Sequence, residues 1–563
     1  MAVPAVSLDD KYQLATGDIY ITGTQALVRL AMNQFQRDRA SSLDTACFIS
    51  GYRGSPMHNL DKELWRASRF LDGNHIHFQP AVNEDLAATA IWGSQQVAGM
   101  GDARYDGVFS MWYGKGPGLD RSMDAIRHGH MAGSSTHGGV LVVVGDDHAL
   151  TSTDAPAAHE YAFAELMMPL LYPADVQDIL DLGLYGWALS RYTGAWVGFK
   201  LIPDTVDASA VVDADPWRND IVFPELTAPG DGLNLRVPDV WSDQEPRLRN
   251  YKLNAALAFA RANQLNRVTL ASPRARLGII ASGKAWGDVR QALREMGIDD
   301  GLAAELGITI LKLSMPYPFD FETVREFADG LEEVIVVEEK VDMTENHVRS
   351  ALYDLPDARR PRVLGRCDES GAPLLPTWPE LDPEHVSLAL ADRISRFHSS
   401  SAMTKRIELI QSKRKAARQR ELLSVKRTPY FCSGCPHNSS TKVPEGSRAQ
   451  GGVGCHFMAT YMERENVTHT HMGGEGANWI GQAPFSKTGH VFQNLGDGTY
   501  FHSGLLAIRA CVAANVNITY KILFNDAVAM TGGQPVDGVI TPQMISRQVA
   551  AEGVQKVFVV SDE

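Results

Sequence analysis

The sequence predicts an α/β protein of three doubly wound parallel-sheet domains, and three observations carry that prediction. Over roughly the first two hundred of the 563 residues, the β-rich runs TACFIS, HIHFQ, GVFSMWY, VLVVVG and AWVGFK alternate with amphipathic helical stretches. A second alternation follows, with RLGIIA, ITILKL and EVIVVEE separated by the helical AWGDVRQALREMG and FETVREFADG. Near the end, VFQNL, Gly496-Asp497-Gly498, TYFHSGLLAIRACVAAN and VNITYKILF read as one strand, helix and strand. The expected domains are residues 15–205, 271–395 and 428–563, with a connector over 206–270 and a basic helical linker over 396–427.

Composition narrows the functions. A formal charge of −14, spread rather than blocked, argues against a general nucleic-acid binder. No apolar run reaches membrane-spanning length, and MAVPAVSLDDKYQ has neither a basic start nor an apolar signal region. The chain is expected in the cytoplasm, with no membrane and no nucleic-acid partner. Six cysteines in this length do not make a disulfide scaffold.

In the first domain each strand runs into a loop that can build a site. TACFIS leads to Gly51-Tyr52-Arg53-Gly54-Ser55-Pro56, HIHFQ to Asn83-Glu84, GVFSMWY to Gly114-Lys115-Gly116-Pro117-Gly118, and VLVVVG to Asp146-Asp147-His148. The Gly114 loop lacks Walker spacing and the Lys-Ser/Thr pair, which argues against ATP or GTP. On residues alone, Glu84 is an acidic first-turn residue of the helix DLAATAIWGSQQVA, with Asn83 as its cap.

The connector carries Gly230-Asp231-Gly232, followed by LNLRVPDVW with no helix start, so it reads as a surface turn. Glu338-Glu339-Lys340 at a strand end is expected to be a solvated charged edge. The basic KRIELIQSKRKAARQRELLSVKR lacks interleaved aromatics and reads as a solvent-facing helix.

The last domain holds the strongest chemistry. In a parallel βαβ unit, Asp497 and Asn525 end neighbouring strands and face one crevice. Glycines at 496 and 498 let the backbone approach a ligand, and the helix that starts there turns free N–H groups toward an anion. A diphosphate there also needs a cation, and a carboxylate with amide and carbonyl oxygens suits magnesium. Upstream, Cys432 and Cys435 form a CxxC pair before Pro436-His437, with Cys455 about twenty residues on. Zinc or an iron–sulfur cluster needs four ligands, and Cys511 falls in a helix as core. The glycine-dense His471–Gln482 can wrap a ring or be a tight polar turn. The terminal KVFVVSDE reads as a strand.

These segments carry a family resemblance. The GDG, crossover and Asn resemble the thiamine diphosphate motif, which implies Asp497, Asn525 and the Ala527 carbonyl as magnesium ligands, with Asp526 where many such enzymes have Asn. SGYRGSP, NEDLAATAIWGSQ, MWYGKGPGLD and GGVLVVVGDDHALTST resemble the pyrimidine-binding domain of the indolepyruvate ferredoxin oxidoreductases. That resemblance implies that Glu84 meets the aminopyrimidine ring and shares a proton with a ring nitrogen. It also implies a transketolase C-terminal-like domain over 271–395, used for packing and dimer contacts.

CSGCPHN is similar to the family's CxGCPHR, with Asn438 in place of Arg, and places Cys435, Pro436 and His437 with Gly474 and Glu475 around the cofactor. An iron–sulfur cluster on Cys432, Cys435 and Cys455 stays open as an alternative to a cofactor-pocket loop. Arg53, Gly54, Ser55, Lys115 and Asn478 are the candidate substrate contacts.

The activity implied is oxidative decarboxylation of an aryl 2-oxoacid such as indolepyruvate to an acyl-CoA, with ferredoxin as electron acceptor, in a homodimer. No ferredoxin-type cluster run is present, so the chain is expected to be the front part of a fused polypeptide or half of a split one, with the cluster-bearing domains elsewhere. Two alternatives accompany this reading: a non-oxidative decarboxylase or carboligase using the same cofactor, and a non-catalytic cofactor-binding subunit.

Overall fold

The structure is a computed structural model that describes residues 6–150, 153, 155–225, 228–419 and 428–561. The chain divides into two compact units, Met1–Pro80 with Glu84–Arg420, and Ala81–Asn83 with Glu421–Glu563. The basic end of the expected linker, 420–427, lies outside the described residues, as do residues 151, 152 and 154 of the loop after VLVVVG.

In the first unit, stretches of helix and loop separate short strands that nonetheless share one sheet. Its strands are β2 (Thr45–Gly51), β3 (Ile76–Phe78), β4 (Gly107–Lys115), β5 (Val140–Gly145), β6 (Leu170–Leu171) and β7 (Val197–Leu201), all parallel, in the order β3-β2-β4-β5-β7-β6. β5 and β7 are buried at every residue, as a sheet covered by helices on both faces requires. Phe109, Met111, Leu141, Val143, Val197 and Phe199 form the core against Trp187 of the helix Val176–Thr193. That helix is capped by Asp175, which accepts the N–H of Asp178, and stops at Gly194 with φ of 67°.

Neither strand of a separate two-stranded sheet was legible. β1 (Asp18–Thr22) and β8 (Ser209–Asp213) pair antiparallel across almost the whole first domain, so β8 comes from the stretch expected as connector. Their registers join residues about 190 apart, which no local pattern reports.

The same unit holds a five-stranded sheet, β13-β12-β10-β11-β9, made of β9 (Asn266–Leu270), β10 (Leu277–Ala281), β11 (Ile308–Leu313), β12 (Glu333–Val337) and β13 (Arg362–Leu364). β9 runs antiparallel to β11, so this sheet is mixed at one edge rather than parallel throughout. NRVTL follows its helix after a short turn, and a strand that close can return only along an edge. The Glu338-Glu339-Lys340 segment is also not a solvated edge. Glu339 is buried and accepts the N–H of Leu381 at 2.9 Å, while Glu338 accepts those of Thr344 at 2.8 Å and Glu345 at 3.2 Å, capping the helix Met343–Tyr353. Charge there is used on backbone donors, which a composition argument cannot see.

The second unit has the parallel sheet β15-β14-β16-β17, from β14 (Ala449–Gly451), β15 (Asn466–His469), β16 (Val491–Gly496) and β17 (Ile518–Leu523). Leu495, Tyr500, Ile508, Ile545 and Val549 pack as its core. The run VFVV is not a strand. Phe558 and Val560 are 82% and 92% exposed, because strand propensity acts only where an edge takes up the backbone groups. Among the described residues, no helix is long and apolar enough to cross a membrane.

Strand order then locates the crevices. The chain leaves β2 to one side for β3 and returns on the other side with β4, and it does the same from β14 to β15 and back to β16. Ligands of open parallel sheets bind outside the carboxyl ends of the strands at such a switch point. These are the ends of β2 and β4 in one unit, and of β14 and β16 in the other.

Candidate functional site

At the β2/β4 switch point the first unit gathers most of the residues singled out in its sequence. Arg53 is 3% exposed, donates from Nε to Asp61 at 2.8 Å, and lies with its guanidinium 5.5 Å from the Tyr52 ring and 5.9 Å from the Trp65 ring. Gly54 faces Lys115, whose Cδ would stand 2.7 Å from a Cβ added there. Only glycine lets the two loops meet this closely. Ser55 lies 2.9 Å from Nδ1 of His58 through its hydroxyl.

Glu84 opens the helix Glu84–Gln96 and is 6% exposed. Its backbone carbonyl accepts the indole N–H of Trp112 at 2.9 Å. Its side chain lies against Gly118, where an added Cβ would come within 2.9 Å of Cγ and 3.0 Å of Oε1. The turn Gly116-Pro117-Gly118, which starts the helix Gly116–Ala132, is therefore the wall of the Glu84 carboxylate. Proline there fixes the first helical turn and needs no N–H partner.

Behind this turn lies an ionic network that the sequence did not single out. Asp146, at the end of β5, bonds His159 and faces Lys200 at 3.3 Å, while Lys200 pairs with Glu160 and is fully buried. His159 also reaches Asp120 at 3.2 Å. Although burial opposes it, the flanking carboxylates of Asp146 and Asp120 push the His159 imidazole up to about 10. Only three-dimensional proximity reveals this set, since its members lie up to eighty residues apart.

The second unit builds the β14/β16 crevice. Asp497 is 3% exposed, and its Oδ1 accepts the N–H of Gly498 at 2.8 Å. Its Oδ2 accepts those of Asn525 at 2.8 Å and Asp526 at 2.6 Å. This carboxylate ties the end of β16 to the turn after β17, so Asp497, Asn525 and Ala527 share one place. Asp526 takes a φ of 54°, which turns the chain there. Gly498 lies against Val528, 3.2 Å from an added Cβ.

The Cys435-Pro436-His437 turn reaches the same crevice. Burial lowers the His437 imidazole while Asp497 opposes that shift, and Cys455 is pushed up by burial and by Cys435, Cys432 and Asp497 in its neighbourhood. All six cysteines carry free thiols, and among the described residues no three His, Cys, Asp or Glu side chains converge on a metal position.

His456 was passed over in favour of the neighbouring Cys455. It is 2% exposed, its Nε2 has no hydrogen-bond partner, and a Cβ added at Gly496 would stand 3.8 Å from its Nδ1. Burial lowers it to about 4, so it is neutral. A neutral donor beside GDG, a buried carboxylate and an adjoining oxygen-rich turn fit a diphosphate with a hard divalent cation.

Glu475 and Asn478 behave differently. Glu475 is fully buried and accepts the N–H groups of Gly473 at 2.7 Å and Val453 at 3.3 Å, so it ties the glycine loop to the end of β14. Gly474 lies against the His471 ring. Asn478 is half-buried with Oδ1 lacking a hydrogen-bond partner. It belongs to the second unit, apart from the other four candidate substrate contacts in the first.

Comparison with known proteins agrees with these assignments of fold. Residues 267–417 match the family described as indolepyruvate oxidoreductase domain, and residues 452–557 match thiamine pyrophosphate enzyme, C-terminal TPP binding domain. The chain is 26% identical to the indolepyruvate oxidoreductase subunit IorA of Methanothermobacter marburgensis, over 95% of this chain and 79% of that protein. It is 25% identical to the subunit of the same name from Methanothermobacter thermautotrophicus, over 99% and 84%. With that of Thermococcus kodakarensis the identity is 24%, over 91% and 76%. Among solved structures, a 2-oxoglutarate:ferredoxin oxidoreductase from Magnetococcus marinus aligns with a TM-score of 0.47 and 16% identity, covering 67% of this chain and 65% of that one.

Proposed function

We propose that this chain, similar over most of its length to the IorA subunits of indolepyruvate oxidoreductase, is the thiamine-diphosphate-bearing subunit of a 2-oxoacid oxidoreductase. Its substrate in this reading is an aryl 2-oxoacid, and its partners are coenzyme A and ferredoxin. The observation that carries the proposal is the Asp497 carboxylate, buried at a strand-switch crevice and tied to the Asn525 turn.

Asp497, Asn525 and the Ala527 carbonyl would hold magnesium, with Gly496 and Gly498 bringing the backbone to the diphosphate. His437 and His456 would donate to its oxygens, and the Cys435-Pro436 turn would cover it. Thiamine diphosphate bound there would supply the electron sink that decarboxylation of a 2-oxoacid requires. Glu84, in a pocket whose wall is Gly118, would exchange a proton with the aminopyrimidine ring. Arg53 and Lys115 supply positive charge for a substrate carboxylate.

The test has two readouts. Titration calorimetry should show thiamine diphosphate binding only with magnesium, and Asp497→Ala should abolish it. Anaerobic release of labelled carbon dioxide from carboxyl-labelled indolepyruvate should require coenzyme A and a viologen acceptor beyond the first turnover. Sustained release without an acceptor would turn the proposal into the non-oxidative decarboxylase. Absence of cofactor binding would sink it.

A further inference from the structure

Beside the ionic network, the segments that follow β5 and β7 border a cavity of about 390 Å³ that the proposed reaction leaves unused. His148 is one wall. It is 4% exposed, and neither ring nitrogen has a hydrogen-bond partner. Oε1 of Glu339 stands 3.9 Å from Nδ1, beyond hydrogen-bonding range. Burial holds the imidazole well below its ordinary value, so it is a neutral ring with an unused acceptor. Leaving such a group unsatisfied is destabilising, a cost that a packed apolar residue would avoid.

The rest of the lining has one sign. Asp204, Asp207 and Glu380 contribute carboxylates, and none of them makes an ion pair among the described residues. No lysine or arginine lines the cavity. The neighbouring Lys284 is committed to Asp288 at 2.9 Å and to the Leu381 carbonyl at 2.6 Å. Ile202, Pro203 and Ala208 supply the apolar surface between the carboxylates. Lys200 and Lys340 also act on His148 but are committed elsewhere, Lys200 to Glu160 and Lys340 to the Pro379 carbonyl at 3.0 Å, so the carboxylates of the lining disfavour a phosphate-bearing ligand. The carboxylates also do not converge, since no three acidic, His or Cys groups among the described residues could hold a metal ion. Separated negative charges joined by apolar wall match a chain of methylenes with ammonium groups along it.

We propose that this cavity binds a linear aliphatic polyamine. Its ammonium groups pair with Asp204, Asp207 and Glu380, one ammonium N–H donates to the His148 imidazole, and its methylenes lie on Ile202 and Pro203.

Titration calorimetry of the full chain with spermidine at low ionic strength should show one saturable site. The triple variant Asp204→Asn, Asp207→Asn, Glu380→Gln should bind about tenfold or more weakly, the sum expected of three solvent-facing ion pairs. Because Asp204 and Asp207 are exposed, this variant should keep a cooperative melt, and His148→Phe provides a second, buried probe. No saturable heat, or unchanged affinity in the triple variant, would overturn the proposal. Magnesium alone giving the same saturable heat, lost in the triple variant, would also overturn it in favour of a metal.

Discussion

Glu84 shows how a residue's role depends on what stands opposite it. In sequence it is an ordinary first-turn acid, and only Gly118, more than thirty residues away, gives it a wall shaped for its carboxylate. Glu84→Gln should lower turnover by about 10²–10⁴-fold while leaving calorimetric cofactor affinity nearly unchanged, as expected for lost proton transfer. Gly118→Ala puts a methyl 2.9 Å from the Glu84 Cγ, so it should lower turnover with a melting temperature close to the parent's. Asp497→Ala differs, since it also removes the acceptor of three backbone N–H groups. A stability loss of about 1–3 kcal/mol in chemical denaturation should accompany its loss of cofactor. GDG was legible because glycine spacing is local. His456 was not, because its unpaired Nε2 is a property of packing alone.

Among the elements, the buried parallel strands were the easiest to read and the paired edges the hardest. VLVVVG admits hardly any other reading, since a run that apolar must be covered on both faces. β1, β8 and β9 are short, half-exposed, and depend on partners that local patterns do not name. The carboxyl ends of β5 and β7 are joined by Lys200 with Asp146 and Glu160, a set invisible in sequence because lysine inside a strand reads as a surface residue. Lys200→Met should cost about 3–5 kcal/mol by leaving the buried Glu160 carboxylate uncompensated and Asp146 with His159 alone. Adding Glu160→Gln should recover part of that loss, and both are measured by urea denaturation. If the single variant melts like the parent, the network contributes nothing to the sheet.

At the scale of the molecule, raised proton affinities give stability a direction in pH. Burial pushes Glu338 up to about 8 and Glu339 up to about 7, from ordinary values of 4.5. A group raised in the fold stabilises fully below its unfolded value, and the benefit is lost as pH climbs through the folded one. The same sign holds for His159, raised from 6.5 to about 10. The contribution of these three groups should therefore fade between pH 5 and pH 10, opposed by Lys252, which burial lowers to about 7. Against the parent's pH–melting curve, Glu338→Gln should remove a falling component in the lower part of that range and His159→Gln one in the upper part, and variants whose curves run parallel to the parent's would contradict the assignment.

The alternation of elements made the α/β class legible from the start, whereas the joining of the first two expected domains in one compact unit was not. In the other unit, β16 carries Gln493 and Asn494, both fully buried and both with amide atoms lacking partners, in a strand position where other sheets place valine. Such a sheet contributes little hydrophobic drive, so anything that binds its crevice when folded weighs heavily in its population. A ligand at a hundred times its dissociation constant adds about 2.7 kcal/mol. Where that ligand is scarce, this unit would be the first part of the chain open to proteolysis, and the amount of intact protein would follow the ligand's supply.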